Sequence, residues 1–350
     1  MKPIFLTLLT FLVSAGYTFA GTDVGNGGKG IVCKDKKEVI SYDLERARKE
    51  WKFVTRPLNG AGSAKLIAAS IIEPLKELDP IRHKQYYDRI GTFMDDLREF
   101  EDYEFDYIHD TSDIGVPEGC EIQVVINQKK KTRPEDKKFR LNVKLWDRMK
   151  PLDKAALIVH EIFLEEMLKD KVTGADGAMY MTGYLSSTAI LTHDRTSYIG
   201  RLENESEGKL FYYDKKHKSW FSVGRLELYP SGEVKKGYLH KESSIDIGTQ
   251  KLKATTLQQF GWTYNDGRKL CELPIEYFEN GSVKQAMLTQ DQPLITYKRK
   301  RRKKAKKLST QIITTFKTVV TRKSPEDEFE ILHIDVYYLN LPIMDCRVLR

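Results

Sequence analysis

The spacing of apolar residues changes about 200 residues into the chain, and this change constrains the fold more than any other feature. Before it the spacing is mostly helical: the Asp79-Pro80 pair provides an N-cap and a proline at the first helical position, and a further helix is predicted from Pro151 to about Asp170. After it, alternating strand-like runs are separated by glycine-containing turns. The pattern predicts an α+β fold in which a mainly helical N-terminal domain, residues 21–195, precedes an antiparallel β-hairpin-repeat domain, residues 205–350.

The hairpin region contains an internal repeat. Residues 226–242, LELYPSGEVKKGYLHKE, align without gaps with residues 275–291, IEYFENGSVKQAMLTQD, and residues 262–270, WTYNDGRKL, form a weaker third copy. Each copy has a Ser-Gly, Asn-Gly or Asp-Gly pair between strand-like runs, where glycine supplies the positive φ of a tight hairpin. The copies resemble the repeats of the MORN-variant family. Hairpins stacked side by side bury one face continuously, and the array is expected to offer a surface to a protein partner.

The first twenty residues, 1–20, have the layout of a cleavable signal peptide. Lys2 is followed by an apolar run from Ile4 to Val13 and by small residues that end at Ala20. The apolar run is much shorter than the roughly 20 residues that span a bilayer, and no later segment is long and apolar enough. We therefore predict cleavage after Ala20 and an exported mature chain, periplasmic or extracellular, without a transmembrane segment.

Four cysteines follow the predicted cleavage point: Cys33, Cys120, Cys271 and Cys346. Outside the cytoplasm, cysteines favour disulfides over thiols, although four cysteines allow three pairings and the sequence does not choose among them. If each half of the chain closes on itself, the pairs are Cys33 with Cys120 and Cys271 with Cys346.

The formal net charge of +8 is concentrated in one basic segment, residues 298–307, KRKRRKKAKK. The segment separates the strand-like Leu294–Tyr297 from the alternating run Gln311–Thr321, so we expect a long hairpin loop. Blocks of like charge repel one another, and one interpretation is a solvated excursion without a partner. The other is an arm that binds an anionic envelope surface or another polyanion. Its basic residues are Lys298, Arg299, Lys300, Arg301, Arg302, Lys303, Lys304, Lys306 and Lys307.

A His-Glu pair, His160 and Glu161, lies within the apolar helical stretch ALIVHEIFLEEM, residues 156–167. In the H-E-x-x-H motif, two histidines one turn apart bind zinc and the glutamate activates water. Here the second histidine is replaced by Leu164, so the zinc motif is incomplete. On the helix His160 shares a face with apolar residues, which favours an imidazole hydrogen-bonded inside the core. No catalytic residue is assigned beyond these two candidates, and no metal ligand is predicted.

Three glycines, Gly25, Gly27 and Gly30, formally satisfy the G-x-G-x-x-G spacing of dinucleotide-binding folds. In those folds a strand precedes the glycines and a helix N-terminus behind them holds the pyrophosphate. The predicted mature chain starts only a few residues earlier, and Ile31–Cys33 is typical of a strand. No cofactor is therefore predicted.

Three segments resemble an uncharacterised family of secreted proteobacterial proteins with a GNGG-x-V-V-C-like mature N-terminus: GNGGKGIVC, residues 25–33; ALIVHEIFLEEM, residues 156–167; and DGAMYMTGYLSS, residues 176–187. The resemblance covers about residues 25–190 and implies an exported bacterial protein, but no particular activity. With the signal peptide and the hairpin pattern, it predicts an exported non-catalytic binding or scaffolding protein of the cell envelope or extracellular space. The alternative is a metal-dependent hydrolase centred on the His-Glu pair.

Overall fold

The computed structural model describes residues 27–60, 62–101, 103–105, 114–172, 174–241, 243–247, 250–255, 274–288, 294–298, 306–311, 317–321, 323–326, 330–339 and 343–349. The signal peptide, residues 1–20, and the third repeat copy, residues 262–270, lie outside these ranges. Both remain predictions.

Six strands are described before residue 143. They are β1 (Lys29–Cys33), β2 (Val39–Ser41), β3 (Leu97–Phe100), β4 (Cys120–Val124), β5 (Ile126–Gln128) and β6 (Phe139–Asn142). Together they form two three-stranded sheets, of order β2-β1-β4 and β3-β6-β5. The first sheet is antiparallel, whereas β3 runs parallel to β6 in the second.

Nine α-helices are described between Tyr42 and Glu205. They are α1 (Tyr42–Lys49), α2 (Ala64–Ile72), α3 (Leu75–Leu78), α4 (Pro80–Thr92), α5 (Val143–Trp146), α6 (Pro151–Lys169), α7 (Asp176–Ser186), α8 (Ala189–Thr192) and α9 (Arg195–Glu205). The central one is α6, which packs against α2, α4 and α7. Because neighbours cover it on several sides, most of its length needs no polar face.

Local signals explain where the longer helices begin. Asp79 caps α4 by accepting a hydrogen bond from the main-chain N–H of Arg82, and Pro80 occupies the first helical position. Helix α6 likewise begins at Pro151. Both helix starts predicted from the sequence are confirmed.

The strands after α9 build one large antiparallel sheet and one separate pair. They are β7 (Phe211–Asp214), β8 (Ser219–Leu228), β9 (Val234–Leu239), β10 (Ser243–Ile247), β11 (Gln250–Thr255), β12 (Ile275–Tyr277), β13 (Val283–Leu288), β14 (Leu294–Lys298), β15 (Lys306–Gln311), β16 (Lys317–Thr321), β17 (Glu330–Leu339) and β18 (Ile343–Leu349). Eight of them follow the order β18-β17-β16-β13-β12-β9-β8-β7, and the hairpin of β10 and β11 joins through β13. Strand β7 therefore forms an edge, and β14 pairs with β15 apart from this sheet.

Two hairpins, β8–β9 and β12–β13, have the same turn geometry and lie in the two segments aligned in the sequence. A glycine in each turn has a left-handed backbone, with φ of 82° at Gly232 and 84° at Gly281. Each glycine donates its N–H to the carbonyl three residues earlier, that of Tyr229 or Phe278. A side chain would strain this backbone conformation, which explains the glycine in both turns.

The predicted fold class is wrong as stated. The N-terminal region is not mainly helical, because two three-stranded sheets lie among its helices. The later strands do not form a separate stack of hairpin repeats either. They belong to a ten-stranded sheet, and Phe221 and Tyr277 from that sheet share one continuous hydrophobic core with Tyr198 and Leu202 of α9. Apolar periodicity indicates the local structure of each segment but not which segments share a core. It therefore predicted a helical part followed by a hairpin part, whereas the described helices and strands share one core.

The division between residues 21–195 and 205–350 stays a prediction. Helix α9 occupies the interval between these ranges and packs against β8. The described fold is a mixed α+β arrangement of helices and several sheets.

The disulfide between Cys33 and Cys120 is confirmed. The two residues lie directly opposite each other in the register of β1 and β4, so the bond links neighbouring strands. Cys271 lies outside the described residues, and its pairing with Cys346 remains a prediction. Among the described residues, no helix combines the length and the apolar character needed to cross a bilayer.

The basic segment begins and ends in paired strands. Lys298, at the end of β14, pairs with Lys306 of β15, and Lys307 pairs with Tyr297. The intervening residues 299–305 lie outside the described residues, so the anion-binding role of the segment remains a prediction.

Candidate functional site

The sequence candidate His160 lies in the middle of α6 and is fully buried. Its Nδ1 is 2.7 Å from Oδ2 of Asp43, which α1 supplies and which is also fully buried. Burial alone would lower the pKa of His160, but the negative charge of Asp43 and the hydrogen bond to it leave this pKa above its usual value. The imidazole is therefore fixed in the core by a partner on another helix.

The neighbouring Glu161 is also fully buried and is hydrogen-bonded to the residue before β1 and to β5. Its Oε1 accepts the main-chain N–H of Gly28 at 2.5 Å, and its main-chain carbonyl accepts the side-chain amide of Gln128 at 2.6 Å. Burial raises the pKa of Glu161 to about 7, against the opposing effects of His160 and the Gly28 N–H. The carboxyl group thus holds the chain just before β1 against α6.

Lys29 completes a group that we call the buried charged cluster: Lys29, Asp43, His160 and Glu161. All four have 0% exposed surface. The Nζ of Lys29 lies 5.6 Å from the ring centroid of Tyr42, next to Asp43. Because no member reaches the surface, a substrate has no route to the His-Glu pair in this conformation. Within the described ranges, no group of three or more His, Cys, Asp and Glu side chains is arranged to hold a metal ion.

A site that the sequence did not reveal is a cleft of about 550 Å³ between the helices and the large sheet. We call it the interlayer cleft. One wall comes from α4 and α6, and the other comes from β7, β8 and the residues that follow β9. Its lining residues are Gln85, Tyr86, Arg89, Ile162, Glu165, Glu166, Lys169, Asp170, Phe211, Trp220, His240 and Lys241.

The helical wall is fixed by a buried arginine, Arg82 of α4. Its guanidinium donates to both carboxylate oxygens of Glu166, at 3.1 and 3.0 Å, and it also pairs with Asp79. The hydroxyl of Tyr86 donates to Glu166 as well. The same guanidinium donates to the main-chain carbonyl of Phe211 at 2.7 Å. These contacts join α4, α6 and the edge strand β7.

A second ion-pair group at the helical wall surrounds Glu165. Its carboxylate is 2.8 Å from Arg89, 3.3 Å from Lys138 and 3.2 Å from Lys169. Burial raises the pKa of Glu165, but these three cations outweigh it and the pKa stays below its usual value. Adjacent positions on a helix point about 100° apart. Glu165 and its neighbour Glu166 accordingly contact different sets of cations and do not act as a pair.

The sheet wall of the interlayer cleft is aromatic. The ring centroids of Phe211 and His240 are 3.7 Å apart, and those of Tyr213 and Trp220 are 5.1 Å apart. Alternation along β7 explains this arrangement, since Phe211 and Tyr213 point to one face while Tyr212 is buried on the other. His240 donates its main-chain N–H to the carbonyl of Trp220, which keeps both residues at the same end of the cleft.

Two charged side chains at the cleft remain without an ion pair or a side-chain hydrogen bond within the described part of the chain: Asp170 and Lys241. Burial raises the pKa of Asp170, the nearby Glu166 raises it further, and His240 partly opposes the rise. Polar groups at a cleft that are not used inside the protein are available to a ligand.

The sequence-predicted residues do not converge on this cleft. His160 and Glu161 lie in the core, Cys33 and Cys120 join β1 to β4, and the basic segment lies largely outside the described residues. Trp220 and Asp170 were missed because they come from distant segments and form no spacing motif. The one available signal was the aromatic run FYYD of β7 facing SWF of β8.

Comparison with protein-family models, with characterised proteins and with solved structures finds no match for this chain. The resemblances to the secreted proteobacterial family and to MORN-variant repeats therefore stay predictions. A functional proposal depends on the geometry of the candidate sites.

Proposed function

We propose that the protein is an exported, non-catalytic binding protein of the cell envelope or extracellular space, and that the interlayer cleft holds its ligand. One observation carries the proposal: about 550 Å³ of open space lies between an aromatic wall and a charged wall. Small-molecule sites typically occupy about 300–1,000 Å³ and combine apolar surface with a few fixed polar groups. The interlayer cleft has both properties.

The rigidity of the helical wall supports binding as its role. Glu166 is held by Arg82 and Tyr86, and Glu165 is held by Arg89. Side chains already fixed in the free protein lose little conformational entropy when a ligand arrives, which favours affinity. An enzyme would need reacting groups free to change protonation or to attack a substrate, and most of the charged groups here are neutralised by partners.

The export of the chain is supported by its first twenty residues and by the disulfide between Cys33 and Cys120. Disulfides persist in oxidising compartments and are rare in the cytoplasm of mesophiles. We infer that the mature chain works in the periplasm or outside the cell, where the basic segment would attach it to an anionic envelope surface.

A metal-dependent hydrolase is the less favoured hypothesis for the function. Its proposed centre, His160 and Glu161, is fully buried and would reach a substrate only if α6 left the core. The hydrogen bonds of these residues to Asp43 and Gly28 give both side chains a structural role.

Thermal unfolding of the mature protein tests whether the interlayer cleft binds a ligand. The protein is heated with and without the small-molecule fraction of a bacterial envelope extract. A ligand at about 100 times its Kd stabilises the folded state by about 2.7 kcal/mol, which corresponds to an increase in Tm on the order of 5 °C for a chain of this size.

Two aromatic variants locate the effect. Trp220→Ala removes a ring from the cleft wall and should abolish most of the increase in Tm. Tyr87→Ala removes an exposed ring from α4 that does not line the cleft, and it should leave the increase unchanged. An equal increase in the wild type and in Trp220→Ala, or none with any fraction, would argue against the proposal.

A further inference from the structure

We propose that the ligand of the interlayer cleft is an oligosaccharide, whose ring faces lie on the aromatic wall and whose hydroxyl groups meet the charged wall. This inference rests on the proposed function of the cleft and goes further by naming a chemical class. Three features of the cleft support it: the chemistry of its two walls, its balance of charge, and the occupied Phe211 carbonyl at the edge of strand β7.

The aromatic wall suits the apolar face of a sugar ring. Trp220 and Phe211 are partly exposed, and His240 is exposed. An aromatic ring carries a negative face, which attracts the weakly positive C–H groups on the flat face of a pyranose, and the contact also removes apolar surface from water. Trp220 comes from β8, and the tilted rings of Phe211 and His240, from β7 and just after β9, lie on either side of it in the sheet, so these rings can serve successive sugar units.

The charged wall suits the hydroxyl groups on the rim of a sugar. Carboxylates accept hydrogen bonds and guanidinium or ammonium groups donate them, and such charge-assisted bonds are stronger than bonds between neutral groups. Ion pairs already fix Arg89, Glu165 and Glu166 in the absence of ligand. Asp170 and Lys241 add an acceptor and a donor that have no such partner in the described part of the chain.

The balance of charge in the cleft disfavours a strongly charged ligand. Three basic side chains line it against three acidic ones: Arg89, Lys169 and Lys241, and Glu165, Glu166 and Asp170. A site for a polyanion or a polycation would carry one sign of charge in excess. A neutral or amphoteric oligosaccharide meets both signs without a net electrostatic penalty.

The edge of β7 disfavours an extended peptide. Peptides commonly bind a free sheet edge by adding a strand to it through main-chain hydrogen bonds. At this cleft the main-chain carbonyl of Phe211 is already occupied by the guanidinium of Arg82, at 2.7 Å. Arg82 is buried and also binds Glu166, so a peptide strand would have to displace an internal ion pair.

Isothermal titration of the mature protein tests the inference with three separate probes. They are the β-1,4-linked tetramer of N-acetylglucosamine, the β-1,4-linked tetramer of glucose and a zwitterionic tetrapeptide. We expect saturable binding of at least one tetrasaccharide and none of the tetrapeptide. Trp220→Ala and His240→Ala should each raise the Kd about tenfold or more, and Tyr87→Ala should leave it unchanged.

His240→Ala separates loss of binding from loss of folding. His240 is exposed and lies outside the hydrophobic core, so its replacement should leave the protein folded. Binding of the tetrapeptide alone, binding of neither tetrasaccharide, or equal Kd values for the wild type and both cleft variants would each overturn the oligosaccharide assignment. If the envelope extract raises the Tm of the wild type but not of Trp220→Ala while both tetrasaccharides fail, the cleft remains a binding site and only its ligand class is wrong.

Discussion

At the scale of single residues, the buried charged cluster contributes to how the stability of the protein depends on pH. Glu161 is the member whose position matters most. Its carboxyl group is enclosed by α6, the residues before β1 and Gln128, and burial raises its pKa to about 7 from an ordinary 4.5. Between these two values the folded protein holds a proton that the unfolded chain releases. The stabilisation is fully present below about pH 4.5 and is lost as the pH rises through about 7.

Glu161→Gln should remove this pH dependence, because glutamine is neutral at every pH and its amide oxygen can still accept the Gly28 N–H. We expect the variant to match the wild type near pH 4.5 and to exceed its free energy of unfolding by on the order of 3 kcal/mol near pH 8. Urea unfolding at a series of pH values measures the difference.

Glu165→Gln is the matched control, one turn further along the same helix. The pKa of Glu165 is lowered by Arg89 and Lys138 despite burial. The stability that its ionised form contributes is therefore lost only as the pH falls below the ordinary pKa of 4.5. The control should lower stability by a constant amount between pH 5 and 8. A constant difference for Glu161→Gln as well would show that Glu161 does not titrate in this range.

Part of the buried charged cluster could be predicted from the sequence. The apolar face of α6 indicated that His160 lies in the core, and it is buried there with a hydrogen bond. Its partner Asp43 lies 117 residues earlier, on α1, and periodicity along one helix gives no information about a partner on another. Trp220 and Asp170 of the interlayer cleft were missed for the same reason, since the cleft exists only where two distant segments meet.

At the scale of secondary-structure elements, caps and turns were predictable and strand pairing was not. The Asp79-Pro80 pair marked the start of α4, and the glycines of the Ser-Gly and Asn-Gly pairs have the left-handed backbone that the turns need. By contrast, β3 and β6 pair in parallel although about forty residues separate them. Arg82 of α4 occupies one main-chain carbonyl at the edge of β7, that of Phe211, and no local pattern predicts such a contact.

The disulfide between β1 and β4 has a measurable effect at this scale. It closes a loop with a sequence separation of 87 residues, so it restricts the unfolded chain strongly. Replacing Cys33 and Cys120 together by serine should lower the free energy of unfolding by about 2–5 kcal/mol. Guanidinium unfolding measures the loss, with the oxidised wild type as the reference. A double variant as stable as the oxidised wild type, together with free thiols at both positions in peptide mapping, would contradict the pairing.

At the scale of the whole molecule, the helices and the large sheet share one core, and the interlayer cleft lies where they meet. Change of periodicity along the sequence marked where the helices end and the strands of the large sheet begin, but it missed the two smaller sheets among the helices. It could not reveal that the two groups pack together, because the information lies in contacts between residues far apart in the chain. The basic segment, by contrast, is a property of composition and is evident from the sequence alone.

The basic segment should control attachment of the whole molecule to anionic surfaces. Each lysine or arginine near an anionic membrane contributes about 1 kcal/mol, and salt weakens the attraction. A variant with glutamine at all nine basic positions of residues 298–307 should therefore co-sediment with anionic vesicles far less than the wild type at low salt. Neutral vesicles and high salt are the controls. Equal sedimentation of the two proteins would refute the attachment role.

The location of ligand protection tests the central claim most directly. Amide hydrogen exchange of the mature protein is measured with and without the small-molecule fraction of a bacterial envelope extract that raises its Tm. The account predicts added protection in β7, in the first half of β8, in the residues after β9, in the second half of α6 and in α4, because these elements line the interlayer cleft. Protection confined to other elements, or to the strands around the basic segment, would contradict it.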